Sequence, residues 1–168
     1  MKKRILTWLL AISMLGSLLT VPAGAAAVTK FSDVSDSYTA TAVEALRLMG
    51  VLDGYGDGTF RPDTILNRAQ FCKMAVYAMD GSGELGRYST VTIFPDVKPS
   101  HWASAYINMA ARKGIISGFA DGKFKPGQTV TAGQAVTILM RGLGYKDEDM
   151  GGVWPQSYMA EAQTNGLL

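Results

Sequence analysis

Gly50-Val-Leu-Asp-Gly-Tyr-Gly-Asp-Gly-Thr-Phe-Arg-Pro-Asp63 decides the reading of this chain, because a near copy returns as Gly114-Ile-Ile-Ser-Gly-Phe-Ala-Asp-Gly-Lys-Phe-Lys-Pro-Gly127. Tyr55 aligns with Phe119, Asp57 with Asp121, Gly58 with Gly122, Phe60 with Phe124 and Pro62 with Pro126, at one offset of 64 residues. A fixed period of this kind marks repeated supersecondary units. Each copy reads as a tight loop: Asp-Gly suits a turn, and the proline two residues after the aromatic predicts an extended exit. Phe60 and Phe124, with Tyr55 and Phe119, are expected to pin the loops to a core. A calcium loop is a poor fit. In an EF-hand reading starting at Asp53, the third position, which needs an oxygen ligand, falls on Tyr55 and the twelfth on Thr64, and the second copy starts on Ser117 with Phe119 third. No metal site is read here.

Working outward, Phe31-Ser-Asp33-Val34 and Phe94-Pro-Asp96-Val97 open the two copies at an offset of 63, one less than at the loops. One residue is therefore inserted between Val97 and Gly114. A helix is predicted from about Tyr38 to Met49, with Val43, Leu46 and Met49 on one face. Its counterpart runs from about His101 to Arg112, with Ser100 as N-cap and Trp102, Tyr106 and Met109 on one stripe. Gly50 and Gly114 suit C-terminal caps. After each loop a capping box starts a second helix, Asn67 with Gln70 and Thr131 with Gln134. Phe71, Met74 and Ala75, then Ala135, Ile138 and Leu139, supply its apolar face. Trp154, Tyr158, Ala162 and Gly166 then match Trp102, Tyr106, Ala110 and Gly114 at an offset of 52, so a third copy begins near residue 153 and the 168-residue chain reads as a piece of a longer protein.

The resulting division is a secretory leader at 1–25, a first repeat at 26–80, an exposed linker at 81–92, a second repeat at 93–144, a linker at 145–152 and the truncated start of a third repeat at 153–168. Within the leader, Lys2-Lys3-Arg4 precedes an apolar run from Ile5 to Val21 and the small-residue cleavage site Ala23-Gly-Ala25. No stable membrane span is expected after cleavage. The leader holds three of the sixteen basic residues and none of the fourteen acidic ones, so the mature chain carries 13 basic against 14 acidic groups. That near neutrality argues against a nucleic-acid partner, whose phosphates favour a clustered basic face. Cys72 is the only cysteine, so no internal disulfide forms, and its place in an apolar helical pattern reads as a small buried hydrophobe.

Phe-x-Asp-Val, a Trp-Ala helix, Gly-Ile-x-x-Gly-Tyr/Phe-x-Asp-Gly-x-Phe-x-Pro and a Thr-Arg-Ala-Glu-like helix start together resemble the S-layer homology (SLH) module of bacterial surface proteins. The likeness covers Phe31 to about Leu143 as two units and Val153 to Leu168 as the start of another. It implies a mainly α fold of tandem helix-loop-helix repeats, here an incomplete pseudo-threefold bundle with grooves between neighbours. It also implies a non-catalytic anchor, secreted to the cell wall or S-layer, that binds a peptidoglycan-linked secondary cell-wall polysaccharide, commonly one with pyruvylated N-acetylmannosamine, and that can self-assemble in a surface layer. No cofactor is implied.

The family's motif arginine falls on Arg68. Residue chemistry alone reads it as a solvated arginine of a first helical turn. The resemblance makes it the clamp on a ketal carboxylate, a role that free backbone N–H groups at the helix start would assist. The second copy has Ala132 and Gly133 in that motif, so its groove is expected to be weak as a carboxylate clamp. Trp102 is a candidate sugar platform, as is Trp154, although helical spacing also suits core positions. Asp57 and Asp96 are candidate hydroxyl acceptors, with Asp33 and Asp121 alongside, although turn and cap duties explain them too. The competing function is the N-terminal part of a secreted polysaccharide hydrolase whose catalytic domain lies elsewhere. The carboxylates here fall in turns or in Asp147-Glu148-Asp149, read as a solvated linker, and the sole His101 makes no triad or metal cluster.

Overall fold

The computed structural model describes residues 30–79 and 82–168, so the leader at 1–25 lies outside the described residues. Among the described residues five α-helices follow one another: α1 (Ser37–Leu48), α2 (Arg68–Ala78), α3 (Ser104–Arg112), α4 (Ala132–Gly142) and α5 (Gln156–Thr164), with 3-10 segments at Ser82–Tyr88 and Asp147–Asp149. Among the described residues the only β-type pairing is an isolated antiparallel bridge, Asn67 to Thr129. The fold is thus mainly helical, and each loop copy sits between two helices.

Local chemistry sets the helix starts. Asp36 caps α1 by accepting from the amides of Tyr38 and Thr39, both at 3.0 Å, a cap the sequence pattern did not single out. Both expected capping boxes form, Asn67 with Gln70 on α2 and Thr131 with Gln134 on α4. Ser100, by contrast, does not cap a helix. Turns bonded from His101 N to Lys98 O and from Ser104 N to His101 O carry the chain to a later start at Ser104, which leaves Trp102 outside α3.

The main core gathers Ala69, Cys72, Ala75 and Val76 of α2, Ala103, Ile107 and Ala110 around α3, Ile138 of α4, and Phe94, Val97 and Phe124 from the intervening segments. Fully burying a side chain such as Ile107 or Phe124 contributes roughly 1.5–3 kcal/mol. Because α2 packs against both α3 and α4, its buried stripe is broader than one helical face and includes small residues. This corrects the expected face: Phe71 and Met74 are only half-buried, and Met49 and Leu139 are exposed. Close approach also explains Gly142, where a Cβ would lie 1.7 Å from Met79 Cε.

In the segment expected as an exposed linker, residues 83–92 are mostly exposed, as expected, but the chain is partly helical at Ser82–Tyr88 and two side chains turn inward. Leu85 and Tyr88 lie on the main core, and fully buried Asn108 of α3 holds the segment by bonding Val91 O at 2.6 Å and Tyr88 O at 3.2 Å. Backbone carbonyls turned inward need such a donor.

The loop exits are not extended as expected. Arg61 and Lys125, each just before proline, have φ of 59° and 58°. Left-handed backbone at a non-glycine residue costs roughly 1–3 kcal/mol and persists only where surroundings hold it. Here an aspartate does so. Asp33 accepts from the amides of Phe60 and Arg61 at 2.7 and 2.6 Å, and Asp96 from those of Phe124 and Lys125 at 2.9 and 2.7 Å. Phe124 is fully buried beneath the second loop, whereas Tyr55 and Phe119 lie under the cations of Arg61 and Lys125, at 4.0 and 4.4 Å, instead of entering the core.

Candidate functional site

The second loop, α4 and the entry to α5 enclose a cleft of about 380 Å3. Ser117 and Phe119 form one wall, Gln134, Thr137 and Arg141 of α4 the floor, and Trp154 and Tyr158 the far side. Arg68 enters it from α2. Its side chain crosses to the second loop, where Nε donates to Phe124 O at 2.8 Å and Nη2 to Ser117 O at 3.2 Å. The guanidinium lies 4.5 Å from the Phe124 ring centroid and 4.7 Å from that of Phe119, and the residue is 5 % exposed.

This geometry corrects two expectations. The first turn of α2 offers no free amide, because Arg68 N donates to Gln128 O, Ala69 N to Pro126 O and Gln70 N to Asn67 Oδ1. Those bonds position α2 on the next copy of the loop, and the side chain follows. The motif arginine of the first copy is therefore not the solvated side chain its residue type suggested, but reaches a cleft built by the second copy.

Arg141, in the last turn of α4, brings a second guanidinium to the same residue, with Nη1 on Ser117 Oγ at 3.2 Å. It is paired bidentately with Asp147, Nε to Oδ1 at 2.8 Å and Nη2 to Oδ2 at 2.7 Å, and the Tyr158 hydroxyl also donates to Asp147. The Asp147 carboxyl consequently sits below the ordinary carboxylate range, Arg141 first and Tyr158 next among the causes. Asp147 is thus a fixed part of the cleft, where the sequence read only a solvated run. Burial lowers the Arg68 pKa, and no carboxylate among the described residues forms an ion pair with it.

The other candidates lie apart. Trp102 is 56 % exposed and stacked on His101 at 5.7 Å, away from the cleft lining. Asp57 accepts from Thr59 Oγ1 at 2.6 Å and from Arg61 Nη2 at 2.7 Å, which draws its pKa down to about 2. Asp96 spends its oxygens on the loop amides already described. Trp154, half exposed, lines the cleft and donates from Nε1 to Thr137 Oγ1 at 2.9 Å. Ser117, Arg141 and Tyr158 were missed as site residues. The spacing of Arg141 and Asp147, six apart across Gly142 and Gly144, was the available signal for their pairing. Cys72 is 0 % exposed, and burial pushes its thiol up to about 12, which leaves it inert.

The S-layer homology domain model matches residues 30–72 and 93–136, and the chain belongs to that family. It is accordingly a bacterial cell-surface module, at home in the wall and surface layer. Similar proteins include a cell surface protein of Thermoanaerobacter kivui, 38 % identical over 86 % of this chain and 19 % of its own length. A cellulosome-anchoring protein of Acetivibrio thermocellus is 31 % identical over 67 % of this chain and 26 % of its own. An uncharacterized cell wall amidase of Bacillus anthracis is 31 % identical over 82 % and 25 %. The chain thus spans about a quarter or less of these relatives. No helix among the described residues is long and apolar enough to cross a membrane.

Proposed function

We propose that this chain is a non-catalytic anchor that fastens an exported protein to the wall by holding a peptidoglycan-linked secondary polysaccharide in the cleft, with the carboxylate of a pyruvate ketal on Arg68. The observation that carries the reading is the setting of Arg68. It is almost fully buried, and Nε and Nη2 bond to carbonyls, which engage two of its five N–H donors without cancelling its charge. A buried cation with no carboxylate in contact, on which Asp96 acts only at longer range, favours an incoming anion, and a guanidinium suits a carboxylate in geometry as well. Trp154 offers an amphipathic face to a sugar ring, and Gln134, Asp147 and Ser157 line the same space as hydroxyl partners. Outside the cleft, Asp57, Asp96 and Trp102 are given a supporting role, since two of them shape the loops and the third stands on the surface.

A second reading, that the whole protein is a wall hydrolase carrying this module, draws on the likeness to the amidase. It concerns what is anchored and leaves the cleft's task unchanged.

The test is sedimentation of the chain with purified walls, before and after removal of the secondary polymer and with a chelator present. Binding should survive the chelator and vanish with the polymer. Arg68→Ala should weaken it by about tenfold or more, with Arg68→Lys intermediate because charge stays and the fork is lost. Melting curves recorded beside each assay separate lost binding from lost fold. Equal retention of folded Arg68→Ala and the parent would reject the assignment.

A further inference from the structure

Tyr77 of α2 and Tyr106 of α3 meet where the first copy packs on the second. Their hydroxyls lie 3.2 Å apart and their ring centroids 5.7 Å apart, with the ring planes inclined at 38°. Phenols bonded in this way also bring together the Cε carbons that flank each hydroxyl. Among the described residues no other two tyrosine hydroxyls are bonded to each other. Both side chains are half-buried, so a small molecule can reach them while the packed helices keep the rings together. Lys73, paired with Asp53 at 3.6 Å, sits 5.5 Å from the Tyr77 centroid and restricts that ring from another side. Burial first, and the Tyr77 hydroxyl next, pushes the Tyr106 phenol up to about 12, so it stays protonated at neutral pH.

Packing alone does not call for two phenols here. At the next junction the matching positions, 64 and 52 residues further on, hold Arg141 and Tyr158, with the guanidinium 5.8 Å from the ring centroid. One phenol fills that junction, so the second at Tyr77 is particular to the first.

We propose that Tyr77 and Tyr106 form an oxidative cross-linking site, at which a diffusible one-electron oxidant of the phenoxyl-radical class joins them as dityrosine and staples α2 to α3. Each tyrosine loses one electron and its hydroxyl proton, and each of two oxidant radicals takes up one of each to become a phenol. The two tyrosyl radicals then couple Cε to Cε. Each of those Cε–H bonds breaks and its proton returns to the ring oxygen, which leaves a biphenol lighter by two hydrogen atoms. A haem peroxidase regenerates the oxidant by reducing one hydrogen peroxide to two waters for every two phenols oxidised. Holding the rings side by side makes this coupling intramolecular and favours it over links between chains. The bond joins positions 29 residues apart, and a cross-link of that span restricts the unfolded chain.

The dilute chain, treated with haem peroxidase, a small phenol and limiting hydrogen peroxide until Tyr38 begins to be consumed, provides the test. Tyr38 is 84 % exposed and reports that the oxidant is active. The expected product is a monomer two hydrogen atoms lighter, with dityrosine fluorescence and, after digestion, a linked peptide pair whose fragmentation places the bond on Tyr77 and Tyr106. Tyr77→Phe and Tyr106→Phe keep both rings in place; each should cut this product by about tenfold or more and leave the consumption of Tyr38 unchanged. The linked parent should unfold at higher urea than the untreated parent, and treated Tyr77→Phe should not. Links scattered over other tyrosines, links between chains in place of within one, an intramolecular link that survives either variant, or loss of Tyr38 with no link would each overturn the proposal.

Discussion

Asp96→Ala is expected to loosen the second loop and weaken the fold by about 2 kcal/mol. Asp96 accepts from Phe124 N at 2.9 Å and Lys125 N at 2.7 Å, and hydrogen bonds to a charged group contribute roughly 1.5–3 kcal/mol each. The side chain is only half-buried, so the lower end applies, about 3 kcal/mol for the pair. Against this, Lys125 no longer has to stay at φ 58°, and relief of left-handed backbone returns roughly 1 kcal/mol. Urea unfolding followed by tryptophan fluorescence gives the difference, and amide exchange at 124 and 125 reports the loop directly. Lys125→Gly supplies the internal check: it should stabilise the parent, and much less so the Asp96→Ala variant, where the strain is already gone. An unchanged midpoint, or unchanged protection of the two amides, would refute the clamp.

Three further outcomes follow from the same packing. Asn108→Leu leaves the carbonyls of Tyr88 and Val91 without their donor and should cost about 2–4 kcal/mol in urea titrations, with the 82–88 segment becoming protease-sensitive. Gly142→Ala forces Met79 out of its seat and should destabilise by about 1–3 kcal/mol, whereas Met79→Ala in the same chain should restore much of that loss, a coupling read by a double-mutant cycle. Acid should release the loops. The carboxyls of Asp33 and Asp96 lie below the ordinary aspartate value of 3.8, Asp33 chiefly through the Phe60 amide, and Asp96 because the Phe124 and Lys125 amides outweigh the opposing effect of burial. Their stabilisation is therefore full above that value and fades as pH falls through the depressed folded values, so near-ultraviolet circular dichroism should change below pH 3.8 and not above it.

The repeat, the helices and the two capping boxes were legible because they depend on neighbours in sequence. Asn67 and Gln70 can only reach each other's backbone when a helix starts between them, and Thr131 and Gln134 repeat the signal. The site was less legible because its geometry depends on which copy meets which. Arg68 could be named as an anion clamp from its motif, but its passage to Ser117 and Phe124 rests on bonds from α2 to residues 126–128, which no local pattern encodes. The two tryptophans show the same limit. Trp102 and Trp154 occupy matching sequence positions, yet Trp154 finds Thr137, and the residue 64 positions before Thr137 is Lys73, which pairs with Asp53 at 3.6 Å.

Because the cleft takes Arg68 from the first copy, Ser117 and Arg141 from the second and Trp154 from the beginning of the third, no copy owns it. Excising any one of the three would abolish a cleft whose other contributors remain intact. Gain or loss of a single copy would therefore change the number of complete clefts in whole steps instead of in proportion to chain length.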